Sequence, residues 1–396
     1  MIHDNKVLRT PDKHFKNLPL WNYEPHYFTS KLYDLEVRIA YYDLGNKEAK
    51  ETLVLPHGMS AWSYLYRRMI PPLINAGYRV ILFDQVGCGR SDKPAKEKDY
   101  TYERHVGWNI DLLINFLKIK DATIVLQDWG GLIGLRVVAA YPSVFRRIIV
   151  ANTMLPTCDD NFFKVSQGFY SWKTFAFRTG LKDDQWIEER GSRWPGQIMA
   201  QKAIGPSNPK MNSDEMDAYN APYPDDSFKA GARMFPELVP TPSSDPTKRP
   251  AIKEAENNAA AWAIFQKFSK PVLLAFSDED TVMAGGDTIW LKHCPGTKHP
   301  GVKHVTIKGV GHFLQDGGAD QLIDAINNFI KATPPSLIEP LRASPLGGKK
   351  AILAKEKAES DATILAVNHG DKGISTPSDG GATYISETPM GRKPYQ

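Results

Sequence analysis

The run Leu126-Gln127-Asp128-Trp129-Gly130-Gly131 decides the fold. Before it, Thr123 to Gln127 is apolar and β-branched and reads as a buried strand. After it, Leu132-Ile133-Gly134-Leu135-Arg136-Val137-Val138-Ala139-Ala140 reads as a buried helix. An acidic residue therefore stands on an abrupt strand-to-helix turn, with paired glycines where backbone and helix must approach closely. That geometry presents a nucleophile, with Asp128 in the place usually held by serine.

Upstream, Leu35 to Leu44 alternates apolar and polar residues and reads as an exposed edge strand. Thr52 to Pro56 is a continuous apolar strand ending in His57-Gly58-Met59, and a helix is expected from about Trp62 to Asn75, stopped by Gly77. Arg79 to Phe83 is the next strand, and Tyr102 to Lys118 is helical in its spacing. Downstream come strands over Arg147–Asn152, Pro271–Phe276 and His304–Ile307, then a closing helix from Ala319 to Ile330. This alternation predicts an α/β protein with a mostly parallel sheet and helices on both faces.

The rhythm breaks between about 155 and 267, where prolines and amphipathic aromatic segments replace strands. The sheet pattern then resumes, which favours a helical cap inserted into one domain over a separate helical domain. The expected organisation is core 1–154, cap 155–267 and core 268–332. A tail over 333–396, rich in Pro, Gly, Lys and Ser, is expected to be largely disordered.

Composition narrows the function. A formal charge of +4 over 396 residues, with no basic block, argues against nucleic acid as partner. Three scattered cysteines argue for a reducing compartment and against disulfides or a zinc cluster. No apolar run reaches membrane-span length, and Met1 to Lys16 lacks an apolar signal core. A cytoplasmic monomer without metal or other cofactor is expected.

Three chemical residues fall at predicted strand ends: Asp128, Asp280 after Pro271–Phe276, and His312 after His304–Ile307. The order nucleophile, acid, histidine is that of α/β-hydrolases, and it implies that fold. An aspartate is already ionised at neutral pH, so it needs no base to attack. On a saturated carbon it forms an ester that water can cleave, whereas serine would form an inert ether. The substrate should therefore be an alkyl carbon with a leaving group, or a strained epoxide. His312 would draw a proton from water in the second step, with Asp280 orienting it. Asp278 competes for the acid's role. Backbone N–H groups of Trp129 and Met59 are the expected oxyanion donors, and the Trp129 indole could donate to a departing halide.

The runs His57-Gly58, Trp62-Ser63-Tyr64-Leu65-Tyr66-Arg67, Gly89-Arg90-Ser91-Asp92-Lys93-Pro94 and Gln127-Asp128-Trp129-Gly130-Gly131 resemble haloalkane dehalogenases. The likeness also covers Arg9-Thr10-Pro11-Asp12, Tyr219-Asn220-Ala221-Pro222-Tyr223-Pro224-Asp225 and Ala230-Gly231-Ala232-Arg233, and so spans roughly 1–330. It implies conversion of a haloalkane and water to an alcohol and halide. Asp128 matches the nucleophile, His312 the base, Asp280 the acid and Trp129 one halide ligand. Trp172 resembles the cap tryptophan of a Trp/Trp halide site. One departure stands out: the subfamily looks to have Glu after His-Gly, where this chain has Met59, which predicts a more apolar pocket floor. Two other functions compete. An epoxide hydrolase would use the same triad with Tyr170, Tyr219 or Tyr223 as acid, and an idle binding protein would have a filled pocket or a misplaced His312.

Overall fold

The computed structural model describes residues 6–59, 61–157, 211–240 and 249–338, with backbone alone for 249–252. Met1–Pro345 form one compact unit, and Leu346–Gln396, a second unit, lie outside the described residues.

Eight strands build one sheet: β1 His26–Ser30, β2 Val37–Leu44, β3 Thr52–Pro56, β4 Arg79–Phe83, β5 Ala122–Leu126, β6 Phe145–Val150, β7 Val272–Ser277 and β8 Val305–Ile307. Their spatial order is β8-β7-β6-β5-β3-β4-β2-β1. β1 and β2 run antiparallel at one end, and β4 meets β2 antiparallel; the other pairings are parallel. The order reverses once, where β3 lies between β4 and β5. In open parallel sheets ligands bind beyond the carboxyl ends of strands, at such a crossing point.

Central strands carry unbroken apolar runs because helices cover both of their faces. Every residue of β5 is buried. Two local expectations fail for physical reasons. The Leu35–Leu44 strand is not an edge: β2 pairs with β1 and β4, and the edge is β1. Alternation reports how the two faces are covered, and says nothing about the two flanks. The expected helix over Trp62–Asn75 divides into a 3-10 turn, Ser63–Tyr66, and α1, Ile70–Asn75. Pro71 and Pro72 lack N–H donors, so they sit in the first turn of a helix and cannot lie inside a longer one. The helix from Tyr102 stays α-helical only through Ile110 (α2), then widens to a π-helical stretch, Asp111–Phe116.

α3, Asp128–Ala140, runs from the turn after β5, and α6, Arg249–Phe265, lies along it. The contact is held by Arg136, which donates to Glu254 at 2.9 Å and Glu103 at 2.6 Å. Between them in the chain lie α4, Ser213–Asn220, and α5, Ala230–Leu238. The described part of 211–267 contains no strand. The first residues of the expected tail fold onto the core: buried Arg147 donates to the carbonyl and hydroxyl of Thr333, with Nε–Oγ1 at 2.8 Å. The rest of that tail, from 339, lies outside the described residues.

Candidate active site

Asp128 has φ +48°, a left-handed conformation that a side chain bearing a Cβ adopts only at a cost of about 1–2 kcal/mol. The surroundings hold it there. Its N–H donates to the Asn152 carbonyl at 3.1 Å, and the Thr153 hydroxyl donates to its carbonyl at 2.8 Å. Both partners stand at the end of β6. Close approach explains two glycines. A Cβ on Gly58 would lie 2.3 Å from Asp128 Oδ1, and one on Gly130 would lie 2.2 Å from the Pro56 carbonyl oxygen.

The two carboxylate oxygens of Asp128 have different partners. Oδ1 accepts the Met59 N–H at 2.6 Å, while Oδ2 is 3.2 Å from His312 Nε2. His312 Nδ1 contacts Asp280 Oδ2 at 2.8 Å. Asp280 Oδ1 in turn accepts from the backbone N–H of Val282 at 2.8 Å and of Met283 at 3.2 Å, which fixes the carboxylate plane. Asp278 is spent elsewhere: it accepts from the Gly309 N–H at 2.7 Å and lies 3.5 Å from Lys308. The structure therefore brings Asp128, His312, Asp280 and the Met59 amide together.

All three side chains are buried. Burial disfavours a charged His312, but Asp280 and Asp128 together outweigh it and push its pKa up to about 10. His57, fully buried, is lowered instead, because burial outweighs the pull of Asp84. Its Nε2 accepts the Gln85 N–H at 2.9 Å, so Nδ1 carries the proton toward the Gly58 carbonyl at 2.8 Å. A neutral imidazole thus clamps the turn that carries the Met59 donor.

Two polar residues that the sequence does not single out also reach this site. Asn152 ends the strand expected over Arg147–Asn152. Its amide donates to Ser277 Oγ at 2.7 Å and to the carbonyls of His312 at 3.0 Å and Gly311 at 3.2 Å, and its Oδ1 accepts the Ser277 N–H at 2.9 Å. It ties the ends of β6 and β7 to the histidine loop. Gln127, wholly buried, contacts His312 twice. Their only sequence signal is a polar residue at the end of an apolar strand.

Beside Asp128 the Trp129 ring is buried, edge-on to Tyr102 with centroids 5.0 Å apart and tilted against Phe235 at 5.1 Å. Trp172 and Tyr170 lie outside the described residues. Two of the candidate tyrosines point to other tasks. Tyr219 donates to Asp316 at 2.7 Å, and Tyr223 is buried among Cys88, Tyr100 and Lys93. The Gly89–Pro94 run is structural as well: Lys93 donates to the carbonyls of Gly89 and Ser91, and Asp92 takes two hydrogen bonds at 2.8 Å from Arg9. Among the described residues no group of three or more His, Cys, Asp or Glu is arranged to hold a metal ion, and no helix is long and apolar enough to cross a membrane.

A family model described as alpha/beta hydrolase fold matches residues 51–192. A haloalkane dehalogenase of Psychrobacter cryohalolentis K5 is 43% identical over 330 residues, 83% of this chain and 99% of that protein. Another, of Mycolicibacterium paratuberculosis, is 37% identical over 328 residues, 82% of this chain and 99% of that protein. Among solved structures, the haloalkane dehalogenase DpaA from Paraglaciecola agarilytica, described as tetrameric, superposes with a TM-score of 0.67 at 30% identity, covering 81% of this chain and 98% of that one. With its sheet order, its strand-end residues and these relatives, the chain has the α/β-hydrolase fold and belongs to the haloalkane dehalogenase family.

Proposed function

We propose that this hydrolase cleaves carbon–halide bonds through an ester on Asp128, turning a haloalkane and water into a primary alcohol and halide. The observation that carries the reading is the unequal environment of the two Asp128 oxygens. Oδ1 already sits on the Met59 donor, where the carbonyl oxygen of an ester would be. Oδ2 is left to attack the carbon. As the C–O bond forms, the carbon–halogen bond breaks and its electron pair leaves with the halide. No base is needed, since the nucleophile is already an anion.

The second step needs the base. His312 Nε2, 3.2 Å from Oδ2, takes a proton from water, and the hydroxyl attacks the ester carbonyl carbon. Negative charge builds on Oδ1, opposed by the Met59 N–H and by the backbone N–H of Trp129 in the first turn of α3, a turn that lacks intrahelical acceptors. Expulsion of the alkoxide, which gains the proton from His312, leaves Asp128 as a carboxylic acid, and loss of that proton to solvent, the H+ that accompanies the halide, restores the carboxylate. Asp280 stabilises the transient imidazolium. Esterification removes the Asp128 charge, one of the two that raise the pKa of His312, so the base is freed when it is required.

The Trp129 indole and Trp172 are assigned to the halide, the Trp/Trp arrangement that the sequence resembles. A cap over 155–267, set between core segments 1–154 and 268–332 and followed by the tail 333–396, is the domain reading that accompanies this function. Epoxide opening is disfavoured by Tyr219, whose hydroxyl donates to Asp316, and by Tyr223, which is buried beside Cys88 and Tyr100. A monomer in the cytoplasm remains our reading. The free, buried Cys88 and Cys294 support a reducing compartment, and the tetrameric relative makes light scattering the check on assembly. The deciding experiment is halide release from chlorinated, brominated and iodinated alkanes beside an epoxide control. Hydrolysis of the epoxide alone would overturn the proposal.

A further inference from the structure

Gln127 precedes the nucleophile, and nothing in the mechanism above uses it. Its side chain is fully buried at the end of β5. The amide nitrogen lies 3.2 Å from the His312 carbonyl oxygen and 3.2 Å from His312 Nε2. A backbone carbonyl can only accept, so the atom facing it must be the NH2 end. The opposite end agrees, since Oε1 faces the Gln315 amide at 3.5 Å. The carboxamide therefore cannot turn over without placing an oxygen against the His312 carbonyl.

An N–H donor fixed beside Nε2 is compatible with a lone pair there and unfavourable beside a second N–H. We propose that Gln127 is a positioning residue for His312: its amide disfavours a proton on Nε2 and keeps the imidazole available as a base once Asp128 is esterified. The inference rests on the functional reading for its consequence, but the contact itself does not. The charged groups acting on His312 are Asp128, at the start of α3, and Asp280, in the loop after β7; both favour the imidazolium. His57, at the end of β3, is held neutral by burial. Gln127 supplies the opposing dipole.

The test uses the full chain and Gln127→Met, which keeps the volume and removes the donor, with Gln127→Leu as a second apolar replacement. NMR titration of the His312 imidazole needs no substrate. The variant should hold its proton to a pH higher by about 0.5–1 unit, the size expected for one lost hydrogen bond. With 1-bromobutane, the acid limb of kcat should move up by the same amount. The single-turnover burst of halide is set by Asp128 attack, which does not use His312, and serves as the internal control. Gln127→Glu, which adds negative charge, should move the limb further in the same direction. An unmoved or lowered titration overturns the inference, as does a folded variant whose burst is lost, since Gln127 would then be placing Asp128. If the unchanged chain releases no halide while the titration still shifts, the functional reading falls and the Gln127–His312 relation stands.

Discussion

Among the described residues, two buried polar clusters differ in how their charges are balanced. Around Arg67, Nη2 donates to Glu215 at 2.9 Å and to Asp316 at 2.6 Å, and Nη1 reaches the Tyr219 hydroxyl at 3.2 Å. Arg68 pairs with the same two carboxylates. Two cations meet two anions, and the guanidinium of Arg67 also lies 4.3 Å over the Tyr64 ring. Burial works against the Glu215 charge, but Arg67 and Arg68 hold its carboxyl below the ordinary value. At the strand ends, two carboxylates share a single imidazole, and one of them stands on a left-handed backbone. The first cluster is closed. The second has an excess of negative charge, a carboxylate on a strained backbone and a backbone N–H fixed on one of its oxygens. A cleft of about 1050 Å³ borders Arg67, Arg68, Glu215 and Asp316 and does not include Asp128.

Substitutions should separate the two sharply. Asp128→Asn removes the proposed nucleophile, and steady-state halide release should fall by at least about 10⁴-fold. Turnover within tenfold of the unchanged chain would show that Asp128 does not form the ester. His312→Gln should release close to one halide per chain and then stop, leaving an alkyl adduct seen as a mass increase. Continued release would remove His312 from the second step.

Arg67→Met tests the closed cluster. It leaves the half-exposed Arg68 as the remaining cation beside Glu215 and Asp316, and should cost about 3–5 kcal/mol in urea unfolding. The pH dependence of turnover in the folded fraction should not change. A shifted profile with little loss of stability would break the distinction between the clusters.

pH sharpens the distinction further. His312 has a folded pKa raised above its ordinary value, so its charge contributes stability fully below about pH 6.5, the unfolded value. That contribution is lost as pH rises through about 10. Asp128→Asn takes away one carboxylate and lowers the folded pKa, so in melting curves the loss should be smaller and complete at a lower pH. Identical curves would mean that Asp128 does not act on His312. The smallest effect is expected at Asp278. Asp278→Asn should leave turnover unchanged, while Asp280→Asn should lower it by roughly 10²–10⁴-fold, the usual range for disturbing a catalytic base. The reverse result would reassign the acid.

The sequence by itself determined the frame. Alternating apolar strands and helices declared the parallel sheet, and strand-end positions marked Asp128, Asp280 and His312, because those signals are local and periodic. The loop after His57-Gly58 likewise led to the Met59 amide. Tertiary structure decided what depends on neighbours distant in the chain. Asp280 and Asp278 are indistinguishable two residues apart, yet only one reaches a histidine 32 positions away, while the other caps the Gly309 turn. Asn152 and Gln127 look like ordinary polar ends of strands until three loops converge on them. Arg67 and Tyr219, in runs that mark the family, form a buried scaffold beside the cleft. Periodicity reports which face a residue takes. Which partner it meets there depends on how separate strand ends are brought together, and only the packed sheet fixes that.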